Sequence, residues 1–255
     1  MDRKTLKFPF TLDRPPDWTC PTCEKGVLRI AKESFFEAEV RRSRDHSHDA
    51  WEPEWIERVY TCQLICTNDQ CKEVVVNCGV GSVDIDIEQD EYGGISQSYE
   101  NFYRPKFFEP HLSLFHIPSD CPKTVSVPLN ESFRLFFTSP SSAANSVRVA
   151  IEELLTELRI KRFDLVKGKR RPISLHRRIG LLPSKYASLK DLLIAIKWLG
   201  NAGSHGNSGD NAISQDDVMD SYELAEHILQ QIYEPKTQKL VALAKKVNKK
   251  KGPSK

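Results

Sequence analysis

Two pairs of cysteines set the strongest constraint on how this chain folds. "CPTC" places two residues between Cys20 and Cys23, and "CTNDQC" places four between Cys66 and Cys71. Each spacing predicts a tight turn that presents two thiolates to one ion, and four thiolates suit a closed, structural Zn²⁺ site. The β-prone runs "GVLRI" and "KEVVV" follow the two pairs, as in a zinc ribbon. We therefore expect these four cysteines to bind structural zinc.

The segment between the pairs is longer than the roughly 15–20 residues of a plain ribbon. It must hold an insertion, for which "RRSRDHSHDAWEPEW" is the candidate. Cys62 or Cys78 could still replace Cys66 or Cys71 as a ligand, although Cys62 could also be a core residue of the strand "CQLIC". The chain has seven cysteines, and this odd, clustered set fits metal ligands better than a disulfide framework.

The charge and hydropathy of the chain predict a cytoplasmic protein without a membrane contact. No apolar run approaches the roughly 18 residues of a membrane span. The first residues, "MDRKTLKFPF", are too charged for a secretory signal.

Two segments carry most of the positive charge. Residues 159–178 hold nine Lys/Arg and one Asp, and residues 236–255 hold eight Lys and no acid, whereas the whole chain has a net charge of only +2. Two basic segments in an otherwise acidic chain suggest a polyanionic partner, with nucleic acid as the default. A solvated loop and a solubilising tail would also explain them. The candidate nucleic-acid-binding residues are Lys167, Lys169, Arg170, Arg171, Lys249, Lys250 and Lys251.

The hydrophobic pattern divides the chain into three parts. Residues 1–83 contain short β-prone runs, and residues 84–129 are acidic, then rich in aromatics and proline, which predicts an extended connector. From residue 130 to 255 the pattern is helical, with "SQDD" at Ser214 as a capping-box start. The expected fold is α+β: a zinc-ribbon-like β domain followed by an all-α bundle of about four or five helices.

The stretch "AIKWLGNAGSHG" places Lys197, Asn201 and His205 four residues apart. Four helical residues turn about 400°, so the three side chains lie on one stripe. Gly200 and Gly203 weaken this helix by about 1 kcal/mol each relative to alanine. Such glycines make sense where another helix, a second chain or a ligand approaches closely. Small residues at a helix crossing would explain the stretch without any chemistry.

"GNAGSH" and the upstream "SSAANSVRVAIEELLTEL" resemble a bacterial family known as domain-of-unknown-function family 4145. That family is similar to the HEPN superfamily of helical domains, and its members are often joined to a zinc ribbon and occur among restriction and phage-defence components. The resemblance implies a HEPN-like fold for the helical half. It also implies a homodimer through the helical domain and a protein partner from a defence system.

HEPN ribonucleases carry an Arg-polar-x-x-x-His motif and cut RNA without a metal. The resemblance maps Asn201 to the polar position and His205 to the histidine, whereas Gly200 stands at the arginine position, which argues against activity. Lys197, one turn earlier, could supply charge stabilisation while His205 transfers protons. Arg148 and Glu152, four residues apart on an earlier helix, are expected to form an ion pair behind this site.

These observations lead to three expectations of function. The first is a metal-independent endoribonuclease acting in phage defence or RNA processing, with RNA as the favoured nucleic acid. The second is a non-catalytic nucleic-acid-binding protein. The third is an interaction module that recruits a partner in a restriction or defence system.

Overall fold

The computed structural model describes residues 3–89, 95–204, 212–234 and 244–249. Within these ranges the fold is α+β, as predicted: an antiparallel sheet in the amino-terminal part is followed by helices in the carboxy-terminal part. The chain divides into two units. Unit 1 consists of Met1–Ser113 and Phe133–Ser139, and unit 2 consists of Leu114–Ser132 and Pro140–Lys255.

The sheet lies in unit 1 and has five strands, preceded by a short helix. The elements are α1 (Arg3–Lys7), β1 (Leu28–Ile30), β2 (Phe36–Glu39), β3 (Glu57–Cys66), β4 (Val74–Gln89) and β5 (Ile95–Glu109). β3 pairs with β4 along one edge, and with β2 and β1 in succession along the other. β5 pairs with the far edge of β4, and every pairing is antiparallel.

An alternating pattern along β3 builds the core of unit 1. Every second residue from Tyr60 to Cys66 is buried, as expected for a strand with one face on the core. The ring of Tyr60 contacts the rings of Phe10 and Tyr103. The Tyr60 hydroxyl donates to Asn77 Oδ1 at 2.8 Å, and Asn77 Nδ2 donates to the carbonyl of Phe107 at 2.8 Å. These bonds satisfy the buried amide and fix β3, β4 and β5 in register.

The segment expected to be a connector, residues 84–129, contributes instead to regular elements. Residues 84–89 extend β4, and residues 95–109 form the whole of β5. The alternating isoleucines of the acidic run "DIDIEQ" continue the strand. Residues 123–129 begin a helix that the sequence predicted to start at Asn130. This helix contains Pro128. Proline has no backbone N–H group to donate and is therefore normally disfavoured inside a helix.

Most of the remaining regular structure is helical. They are α2 (Lys123–Leu135), α3 (Pro140–Glu157), α4 (Leu175–Gly180), α5 (Lys190–Ser204) and α6 (Gln215–Tyr233). In unit 2, α3 packs against α5 and α6 and buries Val147, Ile151 and Leu154 completely or nearly so. The predicted capping box at the start of α6 is present, with the Ser214 side chain accepting from the N–H of Asp217.

A β-hairpin interrupts the helical half, so the expectation of an all-α bundle was wrong at residues 163–172. Its strands are β6 (Phe163–Val166) and β7 (Lys169–Pro172). Lys167 and Gly168 form the turn, with φ of 50° and 72°, which is typical of a two-residue hairpin turn. Buried Ile160 and Ile173 flank the hairpin and anchor it in unit 2. The density of lysine and arginine had suggested a solvated loop.

Within the described ranges, no helix combines the length and the apolar character needed to cross a membrane.

Candidate functional site

Four cysteine side chains of unit 1 converge at one point. The sulfur atoms of Cys20, Cys23, Cys66 and Cys71 all lie within 4.8 Å of one another. Cys20 Sγ is 3.9 Å from Cys71 Sγ, and Cys23 Sγ is 3.7 Å from Cys66 Sγ. Four sulfurs placed tetrahedrally about 2.3 Å from one zinc ion are separated by about 3.8 Å. The cluster therefore has the dimensions of a site that could hold one metal ion.

Two similar turns present the four sulfurs. In the first, the N–H of Glu24 donates to the carbonyl of Cys20 at 3.0 Å, and in the second the N–H of Lys72 donates to the carbonyl of Asn68 at 3.0 Å. Glu24 and Lys72 each follow the second cysteine of a pair and have positive φ, 53° and 49°. Pairing of Leu28 with Cys66 in the sheet brings the two turns together.

The environments of Cys23 and Cys66 push their pKa values apart. The N–H groups of Gly26 and Lys25 stabilise the thiolate of Cys23 and lower its pKa to about 6. Burial raises the pKa of the Cys66 thiol to about 12. A buried thiolate at Cys66 needs a compensating positive charge, which a metal cation would supply.

Gly26 is a residue of this site that the sequence analysis missed. A Cβ atom at this position would collide with Cys66 Sγ and lie 3.0 Å from the backbone nitrogen of Asn68. Only glycine leaves room for the sulfur cluster. The sequence signal for Gly26 was a glycine three residues after Cys23, at the start of a β-prone run.

The alternative ligands Cys62 and Cys78 are not part of the cluster. Cys62 is buried, and its sulfur lies 3.8 Å from Asn77 Oδ1 in the core of unit 1. Cys62 is therefore a core residue of β3, which is one of the two roles that the sequence left open.

Of the three residues in the predicted catalytic stripe, Lys197 and Asn201 are within the described residues, and His205 lies outside them. Lys197 and Asn201 are both half-buried on α5. Lys197 Nζ lies 3.2 Å from the ring centroid of Trp198, an exposed neighbour.

The two glycines of this stretch lie where α5 crosses α3. A Cβ at Gly200 would be 2.5 Å from Arg148 Cβ and 3.1 Å from the carbonyl oxygen of Ala144. A Cβ at Gly203 would collide with the carbonyl oxygen of Ser141 and lie 3.2 Å from its carbonyl carbon. The partner that approaches these glycines closely is therefore a helix of the same chain.

Arg148 lies directly against Gly200, since its Cβ and Cδ are among the atoms nearest to a Cβ placed there. Its Nη2 and Nε donate to Asn145 Oδ1 at 3.0 and 3.2 Å. The expected ion pair with Glu152 is present. The result is a polar cluster on α3 next to the glycine-rich stretch of α5.

The predicted basic residues of the first segment are clustered on the hairpin. Lys167, Lys169, Arg170 and Arg171 are all exposed. The one acid of the segment, Asp164, pairs with Lys161 and Arg177, and the hydrogen bond from Lys161 lowers its pKa. The free charge of the hairpin is therefore positive.

Arg178 differs from its basic neighbours because it is buried. Its guanidinium donates to the carbonyls of Glu152 and Ile160 and to the hydroxyl of Thr156, at 3.0–3.3 Å. These bonds hold the end of α3 to α4, so Arg178 has a structural role. In the second basic segment, Lys249 is exposed on a short helix at residues 244–249, whereas Lys250 and Lys251 lie outside the described residues.

Comparison with known proteins identifies a family for each half of the chain. Residues 8–108, which contain the cysteine cluster and nearly the whole sheet, match a family described as Domain of unknown function (DUF8608). No curated protein and no solved structure matches the chain. Residues 130–250, which contain the basic hairpin and the glycine-rich stretch, match the family that the sequence resembles, described as Domain of unknown function (DUF4145).

Proposed function

We propose that this protein binds nucleic acid through the hairpin β6–β7. The observation that carries the proposal is the exposure of four cations on ten residues of a hairpin that projects no free acid. Phosphate groups are the ligands that such a surface attracts, and the resulting binding needs no particular base sequence. A two-stranded ribbon also holds its cations at fixed spacing, which a disordered loop would not.

In this proposal the cysteine cluster is a zinc-ribbon-like structural site for Zn²⁺. Thiolates are soft ligands that select zinc over magnesium or calcium, and four of them leave no open position for a substrate. The sulfur–sulfur distances of 3.7 and 3.9 Å fit a zinc tetrahedron. When bound, the ion would neutralise the thiolates and stabilise unit 1.

The hairpin cations predict a salt-dependent affinity. Replacing Lys169, Arg170 and Arg171 by alanine removes up to three phosphate contacts, and each contact contributes about 0.7 to the slope of log affinity against log salt on a single strand. We expect the slope to become shallower by about 2. Fluorescence anisotropy with labelled oligonucleotides at several salt concentrations measures it.

A matched control removes the same charge elsewhere. Lys7, Lys106 and Lys123 are exposed and lie outside the hairpin, so their triple alanine variant should keep the wild-type slope. Equal slopes for both triple variants would mean that net charge, not the hairpin, drives binding. Wild-type protein that retains no RNA or DNA at low salt would refute the proposal and favour a protein-interaction module.

A second candidate function is metal-independent cleavage of RNA by a HEPN-like helical domain. The observation that favours it is Arg148, whose Cβ packs against Gly200 and whose guanidinium could serve where the motif arginine is missing. Lys197 and Asn201 lie on the same helix as Gly200. A homodimer, a defence-system partner and a role in phage defence belong to this candidate.

Cleavage is tested with RNA in citrate buffer without added divalent metal, which spares a tetrathiolate zinc. The expected products end in 2′,3′-cyclic phosphate, because the neighbouring hydroxyl attacks the phosphorus. Arg148→Gln and His205→Ala should each lower the rate by about 10²-fold or more. Arg134→Gln, an exposed-arginine control, should cut normally, and intact RNA after prolonged incubation would eliminate this candidate.

A further inference from the structure

One face of the hairpin combines apolar and cationic side chains. The register pairs Leu165 with Arg170 and Phe163 with Pro172, so these four side chains share a face. Leu165 is 79 % exposed and Phe163 is 38 % exposed. Exposed apolar side chains do not improve contacts with phosphates, so this face suits a ligand that also offers an apolar surface.

Arg170 and Phe163 form a stacked pair on this face. The guanidinium carbon of Arg170 lies 4.0 Å from the centroid of the Phe163 ring. This cation–π contact holds a planar guanidinium at the surface. Guanidinium planes and aromatic rings are the groups on which proteins stack unpaired bases.

A concavity adjoins the stacked pair. Its volume is about 480 Å³, and Phe163, Leu165 and Arg170 line it together with Lys161, Arg162 and Asp164. The carboxylate of Asp164 is neutralised by its ion pairs with Lys161 and Arg177. That volume lies within the roughly 300–1,000 Å³ typical of ligand sites. Cations beside apolar walls are the pattern of a groove that binds a phosphate backbone and its bases together.

We propose that this face binds single-stranded nucleic acid, with one base stacked on the Arg170–Phe163 pair and an adjacent phosphate contacted by Arg162. This inference rests on the proposed function and names its substrate class. A duplex keeps its bases stacked on one another, so it cannot offer a base face to Arg170. Single strands gain both the stacking and the electrostatic interactions.

The test compares affinities for labelled oligouridylate, oligothymidylate and a duplex of equal length at one salt concentration. A single strand should bind on the order of ten-fold more tightly than the duplex, as stacking of one base implies. The RNA and DNA strands distinguish between the two sugar backbones. Comparable affinity for duplex and single strands overturns the inference but leaves the proposed function standing, whereas no binding to any of them overturns both.

A conservative variant separates stacking from charge. Arg170→Lys keeps the charge but removes the planar guanidinium, so single-strand affinity should fall on the order of ten-fold with an unchanged salt slope. Arg171→Lys, on the opposite face of the hairpin, should cause a smaller loss, and Arg104→Lys, an exposed arginine of unit 1, should cause none. Phe163→Ala should weaken binding to a similar degree, with circular dichroism confirming the fold. Equal effects of Arg170→Lys and Arg171→Lys would overturn the stacking role.

Discussion

Replacing Cys66 by serine is expected to release the bound metal and unfold unit 1. Cys66 is completely buried, it ends β3, and its sulfur lies 3.7 Å from Cys23 Sγ. Structural zinc contributes roughly 10–16 kcal/mol to the folding of small zinc domains, which exceeds the whole stability of most domains. Elemental analysis should find about one zinc per chain in the wild type and a large loss in Cys66→Ser.

The control for this variant is Cys78→Ser. Cys78 also lies in the sheet of unit 1 but is not part of the cluster, so its variant should keep the metal and a cooperative unfolding transition. Two results would contradict the zinc proposal. One is less than half an equivalent of zinc in wild-type protein purified without chelators. The other is a Cys66→Ser variant that keeps the metal and the wild-type thermal transition.

Gly203→Ala should destabilise unit 2 by about 1–3 kcal/mol, because the added Cβ would meet the backbone of Ser141. A carbonyl on α3 cannot rotate away as a flexible side chain can, so the two helices must move apart. The higher helix propensity of alanine offsets only about 1 kcal/mol of this loss of stability. Urea unfolding followed by circular dichroism measures the change.

Gly180→Ala is the matched substitution. Gly180 ends α4 within unit 2, and a Cβ there would meet no atom within 4 Å. Its stability should stay within about 0.5 kcal/mol of wild type. If Gly203→Ala is equally neutral, the close crossing of α3 and α5 does not account for the glycine, and an approach by a second chain becomes the better explanation.

The sequence predicted those parts of the fold whose determinants are local. Cysteine spacing predicted the four residues of the cluster, because two tight turns need only a few neighbouring residues to form. Ser214 and Asp217 predicted the start of α6, since a capping box lies within four residues.

Features that depend on distant pairing were harder to predict. The choice among Cys62, Cys66 and Cys78 depends on which face of β3 points to the core and on how β1 pairs with β3. The hairpin β6–β7 was missed because its strands are rich in cations, and its stability comes from flanking residues such as Ile160 and Ile173. The partner of Gly200 could not be identified because Arg148 is more than fifty positions away in sequence.

The cysteine cluster joins segments that are far apart along the chain: 43 positions separate Cys23 from Cys66, and 51 separate Cys20 from Cys71. Closing such a loop carries an entropic cost, and in the folded protein the pairing of β1 with β3 holds the two turns together. If the cluster binds zinc as proposed, the free energy of metal binding enters the folding equilibrium of unit 1 by mass action. In a cell, the fraction of chains with an intact sheet would follow the concentration of free zinc, and newly made chains would compete with other zinc proteins to complete their folding.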